Sequence, residues 1–230
     1  MIYITGDTHG DFKRVIAFCD FVRSSKDDTL VILGDVGINY RYDKNEYNRK
    51  RALNKLPVTL LCIHGNHEMR PESIKSYKEI QWSGGTVYAQ EEFPALLFAK
   101  DGEIYELDGK RCIAIGGAYS VDKPYRLAHG WNWFADEQPS DEIKQRVEER
   151  LTAENWQVDA VFSHTCPFKY MPIEIFDRSI DQDIVDNSTE HWLDTIEGKL
   201  DYKHWYCGHF HTEKLIDKVR FMFNDFISMR

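Results

Sequence analysis

The sequence lacks any Cys-x-x-Cys pair, and its five cysteines are scattered and odd in number. This pattern argues against a disulfide framework and against a thiolate zinc site, and it is typical of a reducing cytoplasm. No run approaches the roughly 20 apolar residues that a membrane helix needs. The first residues, MIYITGD, carry no export signal. We therefore expect a cytoplasmic protein that does not associate with a membrane.

Positive charge is also scarce. Acidic residues outnumber basic residues 38 to 29, and the net charge of −9 disfavours binding of duplex nucleic acid. The 230 residues are 42% hydrophobic, which is enough for one large core. No repeat, low-complexity stretch or Gly/Ser-rich linker marks a boundary. We expect a single domain over residues 1–230, with its oligomeric state left open.

Short apolar runs alternate with mixed segments in the first third of the chain, which predicts the alternating strands and helices of an α/β fold. The predicted strands are residues 2–5, 29–33 and 58–63, and the predicted helices are residues 11–24 and 43–56. The right-handed crossover rule favours parallel pairing of these strands.

Beyond Gly84 the pattern changes to short β-rich pieces separated by Asp-Gly and Gly-Gly turns, which predicts a second, antiparallel sheet. Its strands are predicted at residues 86–89, 95–99, 103–107 and 111–115. Farther on, we predict helices at 139–155 and 188–200, strands at 158–163 and 202–207, and a closing hairpin at 214–229. Residues 118–138 and 165–187 lack periodicity, so we expect two long loops over a functional site.

Five of the predicted strands end at a potential metal ligand. The segments are ITGDTHGD, LGDVG, HGNHE, VFSHTCP and CGHFH, and four of them place a glycine directly before the ligand. Ligands of open α/β sheets bind beyond the carboxyl ends of the strands, and glycine permits tight turns there. Because residues two apart in an extended segment project to the same side, we expect Asp7 with His9, and His209 with His211, to present paired donors.

The donors in these turns are carboxylate, imidazole and amide groups without thiolate. Such donors suit divalent ions such as Mn, Fe or Zn in a catalytic site. One aspartate can bridge two ions about 3.5–4 Å apart, an arrangement used for displacement at phosphorus. The predicted ligands are Asp7, His9, Asp35, Asn66, His164, His209 and His211.

These ordered motifs, Asp-x-His, Gly-Asp, Gly-Asn-His-Glu, His and Gly-His-x-His, resemble those of the calcineurin-like metallophosphoesterase superfamily and extend from Gly6 to His211. The resemblance implies a two-sheet β-sandwich flanked by helices, in four αββα layers, with a dinuclear site at its edge. Among Mn, Fe and Zn, we expect manganese at this site. The implied ligands are Asp7, His9, Asp35 and His211 for one ion, and Asp35, Asn66, His164 and His209 for the other.

The resemblance also implies catalytic roles. The histidine of Gly-Asn-His lies beside the phosphate in this family, so His67 is expected to protonate the leaving oxygen or stabilise the transition state, while a metal-bound hydroxide attacks phosphorus. Asp35 and Asn66 complete the expected catalytic set. Glu68 is expected to orient a ligand, and Arg70 to assist the phosphate.

The second motif, LGDVG, lacks the arginine that protein phosphatases of this fold carry, so protein phosphatase activity is not expected. The first loop, YSVDKPYRLAHGWNWF, can stack a base and contact a phosphate. We therefore predict that Arg126 binds the substrate together with Asn66, His67 and Arg70. An aromatic plug against the sheets or a partner subunit is an equally good interpretation of this loop.

Together these features predict a metal-dependent phosphoesterase acting on phosphomonoesters or phosphodiesters of small molecules or nucleotides. A nuclease acting on a short oligonucleotide and a cyclic-nucleotide phosphodiesterase are alternatives. A further alternative is a hydrolase with a thiol nucleophile at Cys166, near His164, but this alternative leaves the remaining ligand-bearing turns unexplained. A non-enzymatic scaffold is disfavoured because every ligand position is filled.

Overall fold

The computed structural model of the chain describes residues 1–229. Its helices are Phe12–Val22 (α1), Lys44–Leu53 (α2), Lys123–Ala128 (α3), Asp141–Ala153 (α4) and Ser188–Glu197 (α5). Its strands are Ile2–Thr5 (β1), Thr29–Ile32 (β2), Thr59–Cys62 (β3), Lys78–Trp82 (β4), Gly85–Ala89 (β5), Leu96–Ala99 (β6), Ile104–Leu107 (β7), Lys110–Ile115 (β8), Ala160–Ser163 (β9), His204–Cys207 (β10), Lys214–Ile216 (β11), Val219–Phe221 (β12) and Phe226–Ser228 (β13).

The strands form two mixed sheets. The first has the order β13-β1-β2-β3-β6-β5-β4, and the second has the order β11-β12-β10-β9-β8-β7. Strands β1, β2, β3 and β6 are parallel in the first sheet, and β8, β9, β10 and β12 are parallel in the second. Antiparallel strands flank each parallel group. The central strands are buried on both faces, which explains why they are short continuous apolar runs.

The hydrophobic core has three parts that define four layers. Residues from both sheets, such as Leu61 and Phe162, fill the space between the sheets. Val15 and Cys19, one turn apart on α1, pack on the outer face of the first sheet, whereas α4 and α5 cover the outer face of the second. The predicted two-sheet α/β sandwich flanked by helices is therefore confirmed. None of the described helices has the length and apolar character needed to cross a lipid bilayer.

The assignment of strands to sheets differs from the prediction in two places. Strands β5 and β6 join the first sheet beside β3, so only β7 and β8 of the predicted antiparallel group lie in the second sheet. In the tail, β11 and β12 form a hairpin, but β13 crosses over and pairs with β1. Local pattern predicts strands and turns, whereas the choice of sheet depends on long-range pairing that the pattern does not contain.

Candidate metal centre

The carboxyl ends of five parallel strands meet at one edge of the sandwich. Strands β1, β2 and β3 are neighbours in the first sheet and lead to Asp7, Asp35 and Asn66. Strands β9 and β10 are neighbours in the second sheet, and they lead to His164 and His209. The seven side chains predicted as ligands therefore face one region between the two sheets.

One group of donors consists of Asp7, His9 and His211, whose ligand atoms lie within 4.8 Å of one another. Nε2 of His9 is 2.9 Å from Nε2 of His211. Asp7 Oδ2 lies 3.3 Å from His211 Nε2, and Asp35 Oδ2 lies 3.8 Å from His9 Nε2. Together with Asp35, this group offers two carboxylates and two imidazoles to one region.

A second group of donors surrounds the side-chain oxygen of Asn66. This oxygen lies 2.8 Å from His164 Nε2 and 3.1 Å from His209 Nδ1. The other oxygen of Asp35, Oδ1, is 3.7 Å from His164 Nε2. The two oxygens of Asp35 therefore face different donor groups, as a bridging carboxylate requires.

The hydrogen bonding around Asn66 shows that this donor set fits a cation. His164 Nδ1 is 2.7 Å from the carbonyl of Leu33, so a ring with a single proton carries it there and turns the Nε2 lone pair towards Asn66. The Asn66 amide donates from Nδ2 to Ser120 Oγ at 2.9 Å, which turns its oxygen towards the histidines. Two acceptors thus face each other at 2.8 Å, a repulsive contact that a bound cation would relieve.

The charge states of the buried groups agree with this fit. Burial, reinforced by the charge of His164, lowers the pKa of His209 to about 3, so its ring is neutral and free to coordinate. Burial raises the pKa of Asp35, but the nearby His164, His67 and His9 outweigh it and hold the pKa well below its usual range. Asp35 is therefore a carboxylate, the form that binds metals.

Close approach explains two of the glycines that precede ligands. Gly34 has φ of 97°, and a Cβ there would lie 2.1 Å from His164 Nδ1. A Cβ on Gly208 would lie 2.2 Å from Asp7 Oδ1, although the φ of Gly208 is not in the left-handed region. Glycine is needed at these two positions because a side chain that follows another strand comes close to the backbone there, and not only because the turn is tight.

We predicted that Asp7 with His9, and His209 with His211, lie in extended segments, and this prediction is wrong. His9, His209 and His211 have φ values of 44°, 66° and 49°, so they lie in left-handed turns and not in continuations of the strands. As a result His209 faces Asn66, while His211 faces Asp7 and His9. Left-handed backbone at four ligands, Asp35 with φ of 45° included, is the kind of strain that clusters at functional sites.

Glu68 and Arg70 are both buried, but neither points at the donors. The Glu68 carboxylate accepts hydrogen bonds from the backbone of Gly65 at 2.9 Å and of Val36 at 3.0 Å, and so ties together the turns after β3 and β2. Arg70 donates to Asp101 at 2.6 Å and to the carbonyl of Asp136 at 2.7 Å. The expectation that Arg70 assists the phosphate is therefore corrected: it anchors the loop that contains Asp136.

His67 lies beside the donors within a small charged network. Its Nδ1 is 3.6 Å from Asp35 Oδ2, and its Nε2 is 3.6 Å from Asp122 Oδ1. Arg126 pairs with Asp122 at 2.8 Å and approaches the His67 ring at 2.9 Å. Burial lowers the pKa of His67, but the nearby carboxylates of Asp122 and Asp35 outweigh it, so the net shift is upwards.

Sequence reasoning missed the groups that orient these residues. Ser120, which accepts a hydrogen bond from the Asn66 amide, donates in turn to Glu137 at 2.5 Å, and Asp122 pairs with Arg126 and lies 3.6 Å from His67. All three lie in residues 118–138, where no motif marks them and where the short helix α3 was also not predicted. The only indication of these groups in the sequence was the length and irregularity of the loop at residues 118–138, which identifies a functional region but no individual residue.

The centre opens into a cleft of about 400 Å³ between the two long loops. The second loop supplies an apolar wall, with Met171, Ile175 and Phe176, and the first loop supplies Tyr119 and Val121. Asp35, Asn66 and His67 form the floor. Cys166 is fully buried outside the cleft and burial raises the pKa of its thiol well above the usual value, which disfavours the thiol nucleophile.

The calcineurin-like phosphoesterase family model matches residues 1–213, and the chain belongs to that family. It is thereby a metal-dependent phosphoesterase in general terms. Among solved structures, it is similar to a protein of unknown function, AQ665 from Aquifex aeolicus, with 23% identity over 72% of this chain and 80% of that one and a TM-score of 0.34. A comparison with curated proteins gives no significant match.

Proposed function

We propose that this protein hydrolyses phosphomonoesters or phosphodiesters of small molecules or nucleotides at a dinuclear metal centre. The observation that carries the proposal is the pair of donor groups on the two sides of Asp35, in which potential ligand atoms lie 2.9 Å apart in His9 and His211 and 2.8 Å apart in His164 and Asn66. The second supporting feature is the adjoining cleft of about 400 Å³, a size suited to a small ligand.

Two divalent ions fit these donors, with manganese, iron or zinc suited to the mixture of carboxylate, imidazole and amide. Cations bound here supply Lewis-acid activation of water and neutralise charge on the phosphate. The proposed ligands are Asp7, His9, Asp35 and His211 in the first group, and Asp35, Asn66, His164 and His209 in the second.

The protein's own groups position and protonate the substrate. His67 lies at the mouth of the centre, with each ring nitrogen 3.6 Å from a carboxylate oxygen, so it is placed to donate to an oxygen of the reacting phosphate. Asp122 fixes Arg126 against His67, which directs a guanidinium at the same place. The apolar wall of the second loop accommodates the organic part of the ester.

The proposal is tested with a chromogenic phosphomonoester and a chromogenic phosphodiester in the presence of added Mn. We expect turnover of at least one of them, and the ratio of the two rates assigns the monoester or diester preference. Asp35→Asn should reduce kcat by on the order of a hundredfold or more, because it weakens the ligand shared by both donor groups. Asp20→Asn, which removes the same charge from the exposed face of α1, is the matched control and should retain activity.

Two outcomes would contradict the proposal. One is full activity in Asp35→Asn with unchanged metal content. The other is absence of turnover across a panel of phosphorylated metabolites and short oligonucleotides although the protein binds Mn, which would favour the scaffold alternative. Arg126→Ala should raise KM more than it lowers kcat, and an unchanged KM would remove Arg126 from the substrate site.

A further inference from the structure

A second lobe of about 330 Å³ opens from the metal centre on another side of His67. We call it the basic lobe, because its walls include Arg41, Arg49 and Arg126 together with Trp131. His9 and His67 also line it, so the lobe and the apolar cleft share the metal centre as a common border. The apolar cleft, in contrast, is lined by Asp122, Asp177 and Asp186 and by no arginine or lysine.

Two of the three arginines form no ion pair with any of the described residues. Within residues 1–229, Arg41 and Arg49 have no carboxylate within 4.0 Å, whereas Arg126 pairs with Asp122 at 2.8 Å. In a chain with a net charge of −9, two unpaired guanidiniums beside a phosphate-hydrolysing centre are a local positive site.

The acidic residues of the lobe, Asp43 and Glu46, form no ion pair with Arg41 or Arg49, because their oxygens are engaged by other groups. Glu46 accepts hydrogen bonds from the backbone amides of residues 39 to 42 and lies 3.6 Å from Lys50. Asp43 caps the start of α2 by accepting from the Glu46 amide at 2.8 Å. Both carboxylates therefore hold the loop before α2 in place, and this loop is the segment that carries Arg41.

The arginines also lie close to the donors. Arg49 Nη1 is 3.7 Å from the position that a Cβ on Gly10 would occupy, immediately after the ligand His9. On the other side, Arg126 Nη2 is 2.9 Å from His67 Nδ1. A substrate phosphate held at the centre therefore has guanidinium groups beside it in the direction of the basic lobe.

We propose that the basic lobe binds a second phosphoryl group of the substrate, so that preferred substrates carry one phosphate at the metal centre and another between Arg41 and Arg49. The planar guanidinium matches phosphate oxygens in a forked geometry, and two of them suit a dianion. This inference rests on the proposed hydrolase function. The second phosphate can belong to a small bisphosphate or to a short oligonucleotide.

The first experiment compares kcat/KM for matched substrates in the presence of Mn. One pair is adenosine bisphosphate with adenosine monophosphate, and the other is a phosphorylated thymidine dinucleotide with its unphosphorylated form. We expect the wild-type protein to prefer the member with the extra phosphate in at least one pair. In the double variant Arg41→Ala/Arg49→Ala that preference should fall by about tenfold or more, since each lost contact to a charged group is worth about that factor.

The control is Arg51→Ala, which removes one positive charge from α2, the helix that also carries Arg49, at a position outside the lobe. It should leave the preference unchanged. The pair with the larger wild-type preference identifies the source of the second phosphate. Hydrolysis without any preference for the extra phosphate, or a preference that survives in the double variant, would overturn this inference and leave the hydrolase function intact.

A second measurement separates the inference from hydrolysis itself. Calorimetric titration of the metal-free protein with pyrophosphate should show binding in the wild type and in Arg51→Ala. The affinity should fall by about tenfold or more in the double variant and weaken as salt is raised. Equal affinity in all three proteins, or no binding in any of them, would refute the basic lobe as a phosphate site even if esters are hydrolysed.

Discussion

Replacement of Gly34 by alanine tests the closeness of the two sheets at the metal centre. The φ of 97° is unfavourable for alanine, and the added Cβ would lie 2.1 Å from Nδ1 of His164. His164 has no room to retreat without losing its hydrogen bond to the Leu33 carbonyl, because its side chain is fully buried. The variant should therefore be less stable and should also misplace a ligand.

The magnitude follows from three contributions. A left-handed residue with a Cβ costs roughly 1–2 kcal/mol, overpacking a buried site costs about 1–3 kcal/mol, and loss of the hydrogen bond costs about 1 kcal/mol. Gly109→Ala is the matched control, since Gly109 also has a left-handed φ, of 73°, but a Cβ there meets no atom within 4 Å. We expect a loss of about 3–6 kcal/mol for Gly34→Ala and of roughly 1–2 kcal/mol for Gly109→Ala.

The assay is urea unfolding of the metal-free variants, followed by activity with added Mn. Metal-free protein is used because bound cations would add stability of their own to the comparison. Gly109→Ala should retain activity, whereas Gly34→Ala should lose most of it through displacement of His164. Equal unfolding free energies for the two variants, with activity preserved in Gly34→Ala, would contradict the close approach of Gly34 to His164.

Three further predictions concern the surroundings of the centre. Ser120→Ala should weaken Mn binding by about tenfold or more, because the amide of Asn66 loses the partner that orients it; unchanged affinity by calorimetry would contradict this role. Glu68→Gln should lower the free energy of unfolding by about 1–3 kcal/mol, since an amide can accept from only one of the two turns, whereas the exposed Glu91→Gln should change it by less than about 0.5 kcal/mol. Mn at a hundredfold excess over its dissociation constant should add about 2.7 kcal/mol of stability for each site that it fills, measured as a higher Tm. A Tm that does not change with added Mn would argue against the centre.

The convergence of the predicted ligands could be inferred from the sequence because the signals are local. Asp7, Asp35 and Asn66 come shortly after the ends of short apolar strands, and strand ends in parallel sheets converge by geometry. The left-handed turns that hold His209 and His211 could not be predicted in the same way. Their direction depends on φ values that only the packed edge of both sheets enforces.

Sheet membership could not be predicted, for a related reason. The segment from β5 to β8 has the strand lengths and turn residues of a single antiparallel meander. In the structure, β6 instead pairs in parallel with β3, and the chain leaves the first sheet between β6 and β7. The favourable pairing of β6 is made with a strand more than 30 residues earlier, which no local pattern encodes.

The arrangement of the centre separates chemistry from specificity. The ligands Asp7, Asp35 and His164 are almost fully buried at the ends of paired strands, where a change in one side chain disturbs several others. The walls of the cleft and of the basic lobe come from loops and from the exposed face of α2. Arg49 on α2 and Trp131 in the first long loop are both exposed to solvent. Substitutions in the walls should therefore alter KM and the choice of substrate while kcat for a minimal ester persists, whereas substitutions among the ligands should abolish turnover of every ester alike. That difference is expected from the burial of the predicted ligands and the exposure of the loops.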